Sequence, residues 1–245
     1  MRRNSCSHEG DGTLETKKIH TPNTHCGHHM CVSLVPIFNH LEVEQMNEIM
    51  EAAKSYSYKK GEILFHAGDQ ADTLYIVSKG KVRIYRLSES GKEQLVRILN
   101  PGDFTGELAL FKKDFYETYA EAVEETEVCL VKQTDLQELL LKYPSISLKI
   151  LSEFSKRLEQ SEKQAARFAM EKVETRLALF LSECLSDDET TEITLPMSRK
   201  DLASYLGTSP ETISRKLSDL ENQGYIKQNG HKKIEIIDLD GLLLV

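Results

Sequence analysis

The stretch MSRKDLASYLGTSPETISRKLSDLENQGYIKQNGHKKIEIID, residues 197–238, decides the fold of the C-terminal part of the chain. Ser198 followed by Asp201 is typical of a capped helix start, and Gly207 can take the left-handed conformation that ends a helix. Ser209 is then a good N-cap for a second helix. Two short helices joined by a tight glycine turn predict a helix-turn-helix, which can place its second helix in a DNA major groove.

The second predicted helix begins with Pro210 and has two distinct faces. Its apolar residues recur at helical spacing, which predicts that they are buried: Ile213, Leu217 and Leu220. The outer face then carries Glu211, Ser214, Arg215 and Ser218. Beyond this helix, YIKQNGHKKIEII predicts a hairpin that would form a wing, with Asn229-Gly230 suited to a two-residue type I′ turn.

The charge of this segment differs from that of the whole chain. Residues 197–233 include seven Lys/Arg and four Asp/Glu, a local balance of +3 in a chain of net charge -8. The acidic chain argues against indiscriminate adhesion to nucleic acid, whereas a local basic surface lies where phosphates would sit. The alternative, an ordinary three-helix fragment, does not explain why turn, caps, exposed face and charge coincide.

Upstream, residues 61–131 have the pattern of an all-β unit. Glycines recur at intervals of 7 to 12 residues between alternating runs such as TLYIVS, KVRIYRL and EQLVRIL. Short strands separated by turn residues at this spacing predict a roll or barrel. An amphipathic helix precedes it, with one apolar side formed by Leu41, Met46, Ile49 and Met50.

A long helix without Gly or Pro is predicted from about residue 146 to residue 168, after a short helix that Pro144 stops. Residues at alternating spacings of three and four form an a/d seam: Leu151, Phe154, Leu158, Ser161, Ala165 and Phe168. The seam predicts a dimer helix, and the alternative is a core helix packed on the roll. An amphipathic helix and an acidic linker, residues 186–194, then lead to the helix-turn-helix.

Composition narrows the class of protein. A chain of 245 residues holds about two domains, and 40% hydrophobic with 29% charged residues is typical of a soluble globular protein. No apolar run approaches the roughly 18 residues of a membrane span, and the N-terminus lacks the apolar core of a secretory signal. We therefore expect a cytoplasmic protein without a membrane partner. Five cysteines, an odd number, argue against a disulfide framework and leave metal binding or a reactive thiol open.

The order of these parts resembles the cyclic-AMP receptor / fumarate-nitrate-reduction regulator (CRP/FNR) superfamily, on PGDFTGELALF (residues 101–111) and LGTSPETISRKLSDLENQGYI (residues 206–226). The resemblance implies an α+β chain: a cyclic-nucleotide-binding-type β-roll (jelly-roll), a long dimerisation helix and a C-terminal winged helix-turn-helix. The expected division is a Cys/His-rich tail at 1–33, the sensory roll at 34–143, the dimerisation helix at 144–169 and the DNA-binding domain at 170–245. It also implies a homodimeric transcription factor, not an enzyme, that binds a palindromic promoter site with RNA polymerase as a partner.

At the DNA end, ETISR is similar to the FNR branch of the family, which implies a half-site resembling TTGAT. Glu211, Ser214 and Arg215 would read base edges, because arginine can contact guanine O6 and N7 and a carboxylate can accept from cytosine N4. The full set of expected DNA contacts adds Ser209, Thr212, Arg199 and Lys216. In the roll, the cyclic-AMP branch has an Arg-Ser or Arg-Thr pair whose arginine holds the cyclic phosphate. This chain has Glu117-Thr118 there, so we expect that cyclic AMP is not bound in the usual way.

The stretch HCGHHMC, residues 25–31, lies in a tail without apolar periodicity. FNR-type sensors hold an iron–sulfur cluster with an N-terminal cysteine cluster and one roll cysteine, whose counterpart is Cys129. In TEVCLV, Val128 and Leu130 point to the face opposite Cys129. The tail departs from the family's three closely spaced cysteines, because Cys26 and Cys31 are close together whereas Cys6 lies twenty positions upstream.

Four explanations of these cysteines stay open. An iron–sulfur cluster would need Cys6, or His28 or His29, as a further ligand beside Cys26, Cys31 and Cys129. A thiol–disulfide switch needs only a tail cysteine and Cys129. Zinc could use Cys26, Cys31 and a tail histidine, with one more ligand. Finally, the cysteines could be inert, with Cys129 a small buried apolar residue; Cys184 is interpreted as structural.

Two other functions compete with a redox-responsive regulator. One keeps DNA binding but gives the roll a small-molecule effector, with incidental cysteines. The other is a cupin-type metalloenzyme. The second is disfavoured, because such sites need several inward histidines and His66 is the only histidine in residues 61–131.

Overall fold

The computed structural model describes residues 35–107, 114–185 and 191–245. The tail residues predicted to sense redox state lie outside these ranges: Cys6, Cys26, His28, His29 and Cys31. Within the described residues, no helix is long and apolar enough to cross a membrane.

The roll follows a first helix, α1 (Val43–Ala52). Its described strands are β1 (Lys54–Tyr58), β2 (Ile63–Phe65), β3 (Gln70–Ala71), β4 (Thr73–Lys79), β5 (Val82–Leu87), β6 (Glu93–Leu99), β7 (Phe104–Thr105), β8 (Asp114–Phe115), β9 (Tyr119–Ala122) and β10 (Thr126–Lys132). They pair antiparallel in two four-stranded sheets, β1-β10-β4-β7 and β2-β9-β5-β6, and the short pair β3-β8. The predicted all-β roll is confirmed.

Two cores flank the first of these sheets because its side chains alternate between two faces. Inside the roll, Val128 and Leu130 pack with buried aromatic residues, among them Tyr58, Phe65 and Tyr75 of other strands and Tyr116, which follows β8. On the outer face, Cys129 and Val131 pack under helices, in a core that includes Phe38, Ile49, Leu136 and Ile150. The predicted alternation around Cys129 is confirmed, and the cysteine faces the helices.

Two helices follow the roll, α2 (Gln133–Lys142) and α3 (Pro144–Met170). Pro144 ends the first helix and occupies the first turn of the second, where its missing N–H is tolerated. Ile146 and Ile150 bury the start of α3 against the outer core of the roll. The rest of this 27-residue helix is mostly exposed.

The C-terminal unit consists of α4 (Val173–Glu183), β11 (Glu192–Thr194), α5 (Arg199–Tyr205), α6 (Pro210–Asn222), β12 (Ile226–Gln228), β13 (Lys233–Ile236) and α7 (Leu239–Leu243). Its strands form a sheet of order β11-β13-β12 beside the helices. The prediction of a purely acidic linker at 186–194 is wrong at its end, because residues 192–194 pair with β13 as a third strand.

The hairpin between β12 and β13 differs from the predicted two-residue turn. Gln228 pairs with Ile234, and the Asn229 N–H donates to the Lys233 carbonyl at 2.9 Å, so the loop is longer than the Asn-Gly pair alone. Gly230 has a φ of 94°, a positive value that glycine adopts readily because it has no Cβ. The longer loop carries His231 and Lys232 beyond the sheet, and both are exposed.

Candidate nucleic-acid interface

The turn before α6 is built as the sequence predicts. Gly207, with a φ of 67°, ends α5. The Thr208 N–H then donates to the Ala203 carbonyl at 2.8 Å, which caps the C-terminal end of that helix. The Ser209 hydroxyl then accepts from the Thr212 N–H at 3.2 Å, which caps α6. These contacts fix where the second helix starts and thus which of its residues face outward.

The two faces of α6 are separated as predicted. Ile213, Leu217 and Leu220 are buried in the core of the C-terminal unit. The opposite face is exposed along its length and is formed by Glu211, Ser214, Arg215 and Ser218. A capped helix with a polar face open to solvent has the shape and chemistry that a major groove accommodates.

Glu211 and Arg215 lie one turn apart on this face and carry opposite charges. The pKa of Glu211 is lowered, chiefly by the hydrogen bond from its own backbone N–H, then by the Ser209 hydroxyl and the charge of Arg215. Glu211 is therefore an ionised acceptor at neutral pH. The Arg215 Nη2 lies 3.5 Å from the Thr212 hydroxyl, and its guanidinium is exposed. Together they offer an acceptor and a fork of donors to base edges.

Arg199 and Lys216, also predicted to contact DNA, make contacts within the protein. The Arg199 guanidinium donates to Gln228 Oε1 at 2.8 Å and to two carbonyls of the wing loop, those of Gly230 and His231, at 3.3 Å. It thereby braces the wing against α5. Lys216 pairs with Glu174 of α4 at 2.9 Å and with Asp219 at 3.4 Å. Its ammonium is therefore already partly neutralised.

The predicted seam of α3 is not one uniform stripe. Five of its six members are exposed: Leu151, Leu158, Ser161, Ala165 and, at 38%, Phe168. Phe154 packs against the outer core of the roll. Phe168 lies over the helix-turn-helix, where its ring is 3.1 Å from the position that a Cβ at Gly207 would occupy. The structure adds Leu148, 70% exposed and three residues before Leu151, to the apolar face.

The sequence did not predict an ionic cluster that joins α3 to the roll. Glu107, in the PGDFTGELALF segment, accepts from Arg157 of α3 at 2.5 Å and from Arg97 of β6 at 3.3 Å. The Arg157 guanidinium also donates to the Phe104 carbonyl at 3.0 Å and lies 4.3 Å from the centroid of the Phe104 ring. Burial lowers the pKa of Arg97. Periodicity could not reveal these pairs, because the partners of Glu107 are 10 and 50 positions away.

Glu117 lies on the surface of the roll, where it accepts from Arg86 at 2.6 Å. Its side chain is 74% exposed. The prediction that cyclic AMP is not bound in the usual way stays a prediction, and Arg86 partly neutralises the Glu117 carboxylate on which it rests.

Cys129 is enclosed in the outer core with 1% of its surface exposed, and its Sγ lies 3.5 Å from the Ser55 hydroxyl. Within the described ranges, no three His, Cys, Asp or Glu side chains are grouped closely enough to hold a metal ion. The other ligands that the resemblance implies for an iron–sulfur cluster lie in the tail outside the described residues, so the described part of the chain contributes Cys129 alone. Cys184 is half-buried beside the core of the C-terminal unit, and burial raises its pKa to about 11.

Comparison with known proteins gives the same two parts. Residues 56–143 match the cyclic nucleotide-binding domain family, and residues 175–244 match the Crp-like helix-turn-helix domain family. Over 214 residues the chain is 35% identical to the probable transcriptional regulator flp of Lacticaseibacillus casei, an alignment that covers 87% of this chain and 97% of that protein. It is 33% identical to an anaerobic regulatory protein of Haemophilus influenzae, with 84% and 80% of the two chains covered.

A solved structure shows the same architecture. FixK2 from Bradyrhizobium japonicum is 30% identical and superposes with a TM-score of 0.67 over 78% of this chain and 95% of that one. The relatives named above are regulators rather than enzymes. Roll, long helix, winged helix-turn-helix and these similarities agree: the chain belongs to the CRP/FNR superfamily and is a DNA-binding transcription regulator of that type.

Proposed function

We propose that this regulator binds a palindromic promoter site as a homodimer, with RNA polymerase as its partner, and that its DNA binding responds to redox state through Cys129 and a tail cysteine. The single observation that carries the DNA-binding part is the exposed polar face of the capped helix α6. The similarity to proteins named anaerobic regulatory protein supports a response to oxygen or redox state.

Base reading is assigned to three residues of α6. Arg215 contacts guanine O6 and N7, Glu211 accepts from cytosine N4, and Ser214 lies between them on the same face. By resemblance to the FNR branch, the proposed half-site is similar to TTGAT. Arg215→Ala should weaken operator binding by about 1–3 kcal/mol and relax the preference for guanine at one position.

The matched control for Arg215→Ala is Lys227→Ala, which removes one exposed positive charge from the wing. Loss of a residue that contacts phosphate should weaken binding to all sequences about equally. It should also reduce the slope of log affinity against log salt concentration by roughly one. Fluorescence anisotropy on duplexes with single base changes separates the two patterns. If Arg215→Ala keeps wild-type affinity and base preference, the assignment of α6 is wrong.

The dimer interface is assigned to the exposed face of α3. Leu151 and Leu158 are 59% and 61% exposed and lie seven residues apart at one kind of seam position, with Ala165 seven residues further on, and Leu148, 70% exposed, extends the apolar face beside Leu151. An unpartnered apolar row on a polar helix is typical of a helix pair. Leu158→Glu should therefore dissociate the dimer in sedimentation experiments. Gln160→Glu adds the same charge outside the seam and should leave the dimer intact.

The redox site is assigned to Cys129 and Cys31. Val35 packs in the same core as Cys129, and four peptide units link Cys31 to Val35, a reach of about 14 Å. Oxidation would join the two Sγ atoms in one disulfide and release two protons, while two electrons pass to an oxidant such as oxygen. A disulfide needs only one partner sulfur beside Cys129, whereas a cluster or a zinc site needs several further ligands, so we favour this switch over iron–sulfur or zinc chemistry.

Protein purified without oxygen tests this assignment. The expected outcome is a colourless protein without iron whose operator affinity changes when air oxidises it and returns when a dithiol reductant is added. Cys129→Ser should abolish that response, whereas the matched control Cys184→Ser should keep it. A visible absorption band that bleaches in air, together with bound iron and sulfide, would refute the disulfide assignment and show that the protein holds an iron–sulfur cluster.

A second candidate is a small-molecule effector in the roll, which the match to the cyclic nucleotide-binding domain family favours. In that case the cysteines are incidental. The sequence feature against cyclic AMP itself is Glu117, which by resemblance occupies the position of the phosphate-binding arginine in the family's cyclic-AMP branch. If serine variants of Cys26, Cys31 and Cys129 all leave regulation unchanged, the effector function replaces the redox one.

A further inference from the structure

The C-terminal unit is attached to an edge of the roll. Among the strands that the structure describes, β6 is the last of its sheet, so one side of its backbone faces no described neighbouring strand. Helix α5 of the helix-turn-helix covers that side. The Leu95 N–H donates to the Ser204 hydroxyl at 2.6 Å, and the same hydroxyl donates to the Glu93 carbonyl at 2.9 Å. One serine thus satisfies two backbone groups of the strand.

A second set of contacts surrounds this serine. Gln94 of β6 donates from Nε2 to the Ser204 carbonyl at 2.6 Å. Leu95 is 2% exposed, and its side chain belongs to the core of the C-terminal unit rather than to the interior of the roll. The β5-β6 register shifts by one residue between Ile84 and Tyr85, as at a β-bulge. The strand therefore contributes both backbone and side chain to the helix-turn-helix.

Arg83 joins the two units by charge. Its guanidinium lies 3.2 Å from Asp201 of α5, 3.1 Å from Glu93 and 2.9 Å from Glu121, and it stacks on Tyr85 with 4.4 Å to the ring centroid. The Arg83 side chain is only 13% exposed and that of Asp201 12%. Water therefore screens this pair less than a surface ion pair.

Asp201 is also part of the start of α5. It accepts a hydrogen bond from the Ser198 hydroxyl at 2.6 Å, and its N–H donates back to the same hydroxyl at 3.1 Å. The carboxylate that Arg83 contacts is thus held in place by the helix cap. A movement of Arg83 or β6 would be transmitted to α5 and, through the turn at Gly207, to α6.

We propose that Arg83 and the β6 edge form a positioning contact, which fixes the orientation of the recognition helix α6 relative to the roll. The recognition face stays exposed while α5 is docked, so the contact is compatible with bound DNA. The inference rests on the proposed palindromic site. Two recognition helices of a dimer must match the spacing of the half-sites, about one turn of DNA apart. A fixed orientation avoids the free-energy cost of ordering two loosely tethered units at binding.

The test uses the full chain with Arg83→Gln and, as matched control, Arg86→Gln. Arg86 lies on the same strand, loses the same charge and pairs with Glu117 on the surface, away from α5. The probes are a palindromic duplex, a single half-site duplex and a palindrome whose spacer is longer by two base pairs. Ser204→Ala is a second variant, which removes the hydroxyl from the β6 contact and leaves Arg83 in place.

Arg83→Gln should bind the palindrome about tenfold more weakly, the loss expected for one charge-assisted contact, and should bind the single half-site like wild type. Its preference for the correct spacer should also shrink. Ser204→Ala should show the same pattern with a smaller loss, and Arg86→Gln should match wild type. If Arg83→Gln and Ser204→Ala both keep wild-type palindrome affinity and spacer preference, the positioning contact is refuted.

Small-angle X-ray scattering separates this inference from the proposed function. If the contact docks the C-terminal unit, Arg83→Gln should increase the radius of gyration while circular dichroism stays unchanged. An unchanged radius of gyration would refute the contact even without DNA. Wild-type protein that binds no palindrome would refute the proposed function, while the scattering result would still decide whether Arg83 holds the two units together.

Discussion

Replacement of Glu107 by Gln tests the ionic cluster between the roll and α3. The change keeps the size of the side chain but leaves Arg97 and Arg157 facing a neutral amide. The Glu107 side chain is 11% exposed, and those of the two arginines are 28% and 22% exposed. Breaking a fully buried ion pair by removing one partner costs about 3–5 kcal/mol. Because both arginines keep about a quarter of their surface in water, we expect about 2–3 kcal/mol.

The assay is urea unfolding followed by circular dichroism, at one fixed protein concentration, since dimer formation would shift the apparent stability. Lys156→Gln is the control, because Lys156 is adjacent to Arg157 but pairs with Glu153 at the surface. Lys156→Gln should lower the free energy of unfolding by less than about 1 kcal/mol. The double variant Glu107→Gln with Arg157→Met should be more stable than the sum of the two single changes predicts, since the two residues are in contact.

Two results would refute the reasoning. One is a loss for Glu107→Gln no larger than that for Lys156→Gln, which would mean that solvent screens the cluster as it screens a surface pair. The other is strict additivity of Glu107→Gln and Arg157→Met, which would mean that their contact contributes nothing to the free energy of unfolding. If the expected losses are found, α3 is fastened to the roll by charge as well as by the apolar contacts at its start.

Three further predictions concern single positions. Ser209→Ala should cost about 1 kcal/mol in thermal or urea unfolding, because the cap of α6 is lost, and an unchanged stability would contradict this. Gly91→Ala should cost about 1–2 kcal/mol of unfolding free energy from its positive φ alone. Gly106→Ala should cost clearly more, because its Cβ would also lie 2.3 Å from the Thr73 carbonyl oxygen. Equal losses for the two variants would contradict the clash. Because its pKa is raised to about 11, Cys184 should stay a neutral thiol at pH 8 and react slowly with iodoacetamide; mass spectrometry checks this, and a rate like that of glutathione would contradict it.

Most of the helix-turn-helix could be predicted from the sequence because its signals are local. Ser209 and Thr212 are three residues apart, and the buried Ile213 and Leu217 are one turn apart, so cap and faces can be predicted from adjacent letters. The strands of the roll were predictable for the same reason, from alternation and glycine spacing. The confirmed placement of Cys129 opposite Val128 and Leu130 follows from the two-residue period of a strand.

Features that depend on pairing between distant segments were not predictable. The length of the wing loop is set by the pairing of Gln228 with Ile234, so the Asn-Gly signal alone gave the wrong turn. Strand β11 exists because β13 offers it an edge, although residues 186–194 are acidic and polar in sequence. The seam of α3 was predicted as one stripe, but Phe154 packs against the outer core of the roll and the Phe168 ring lies beside Gly207, because different parts of the fold lie next to these two positions.

The sequence by itself determined that the chain has a roll, a long helix and a capped recognition helix, because caps, turns and periodicity act between residues a few positions apart. Only the tertiary structure decided which charged residues meet. Arg83 and Asp201 are 118 positions apart, and Glu107 and Arg157 are 50 apart. Such pairs form when packing brings sheet edges and helices together and excludes water from their charges. No local pattern contains that information.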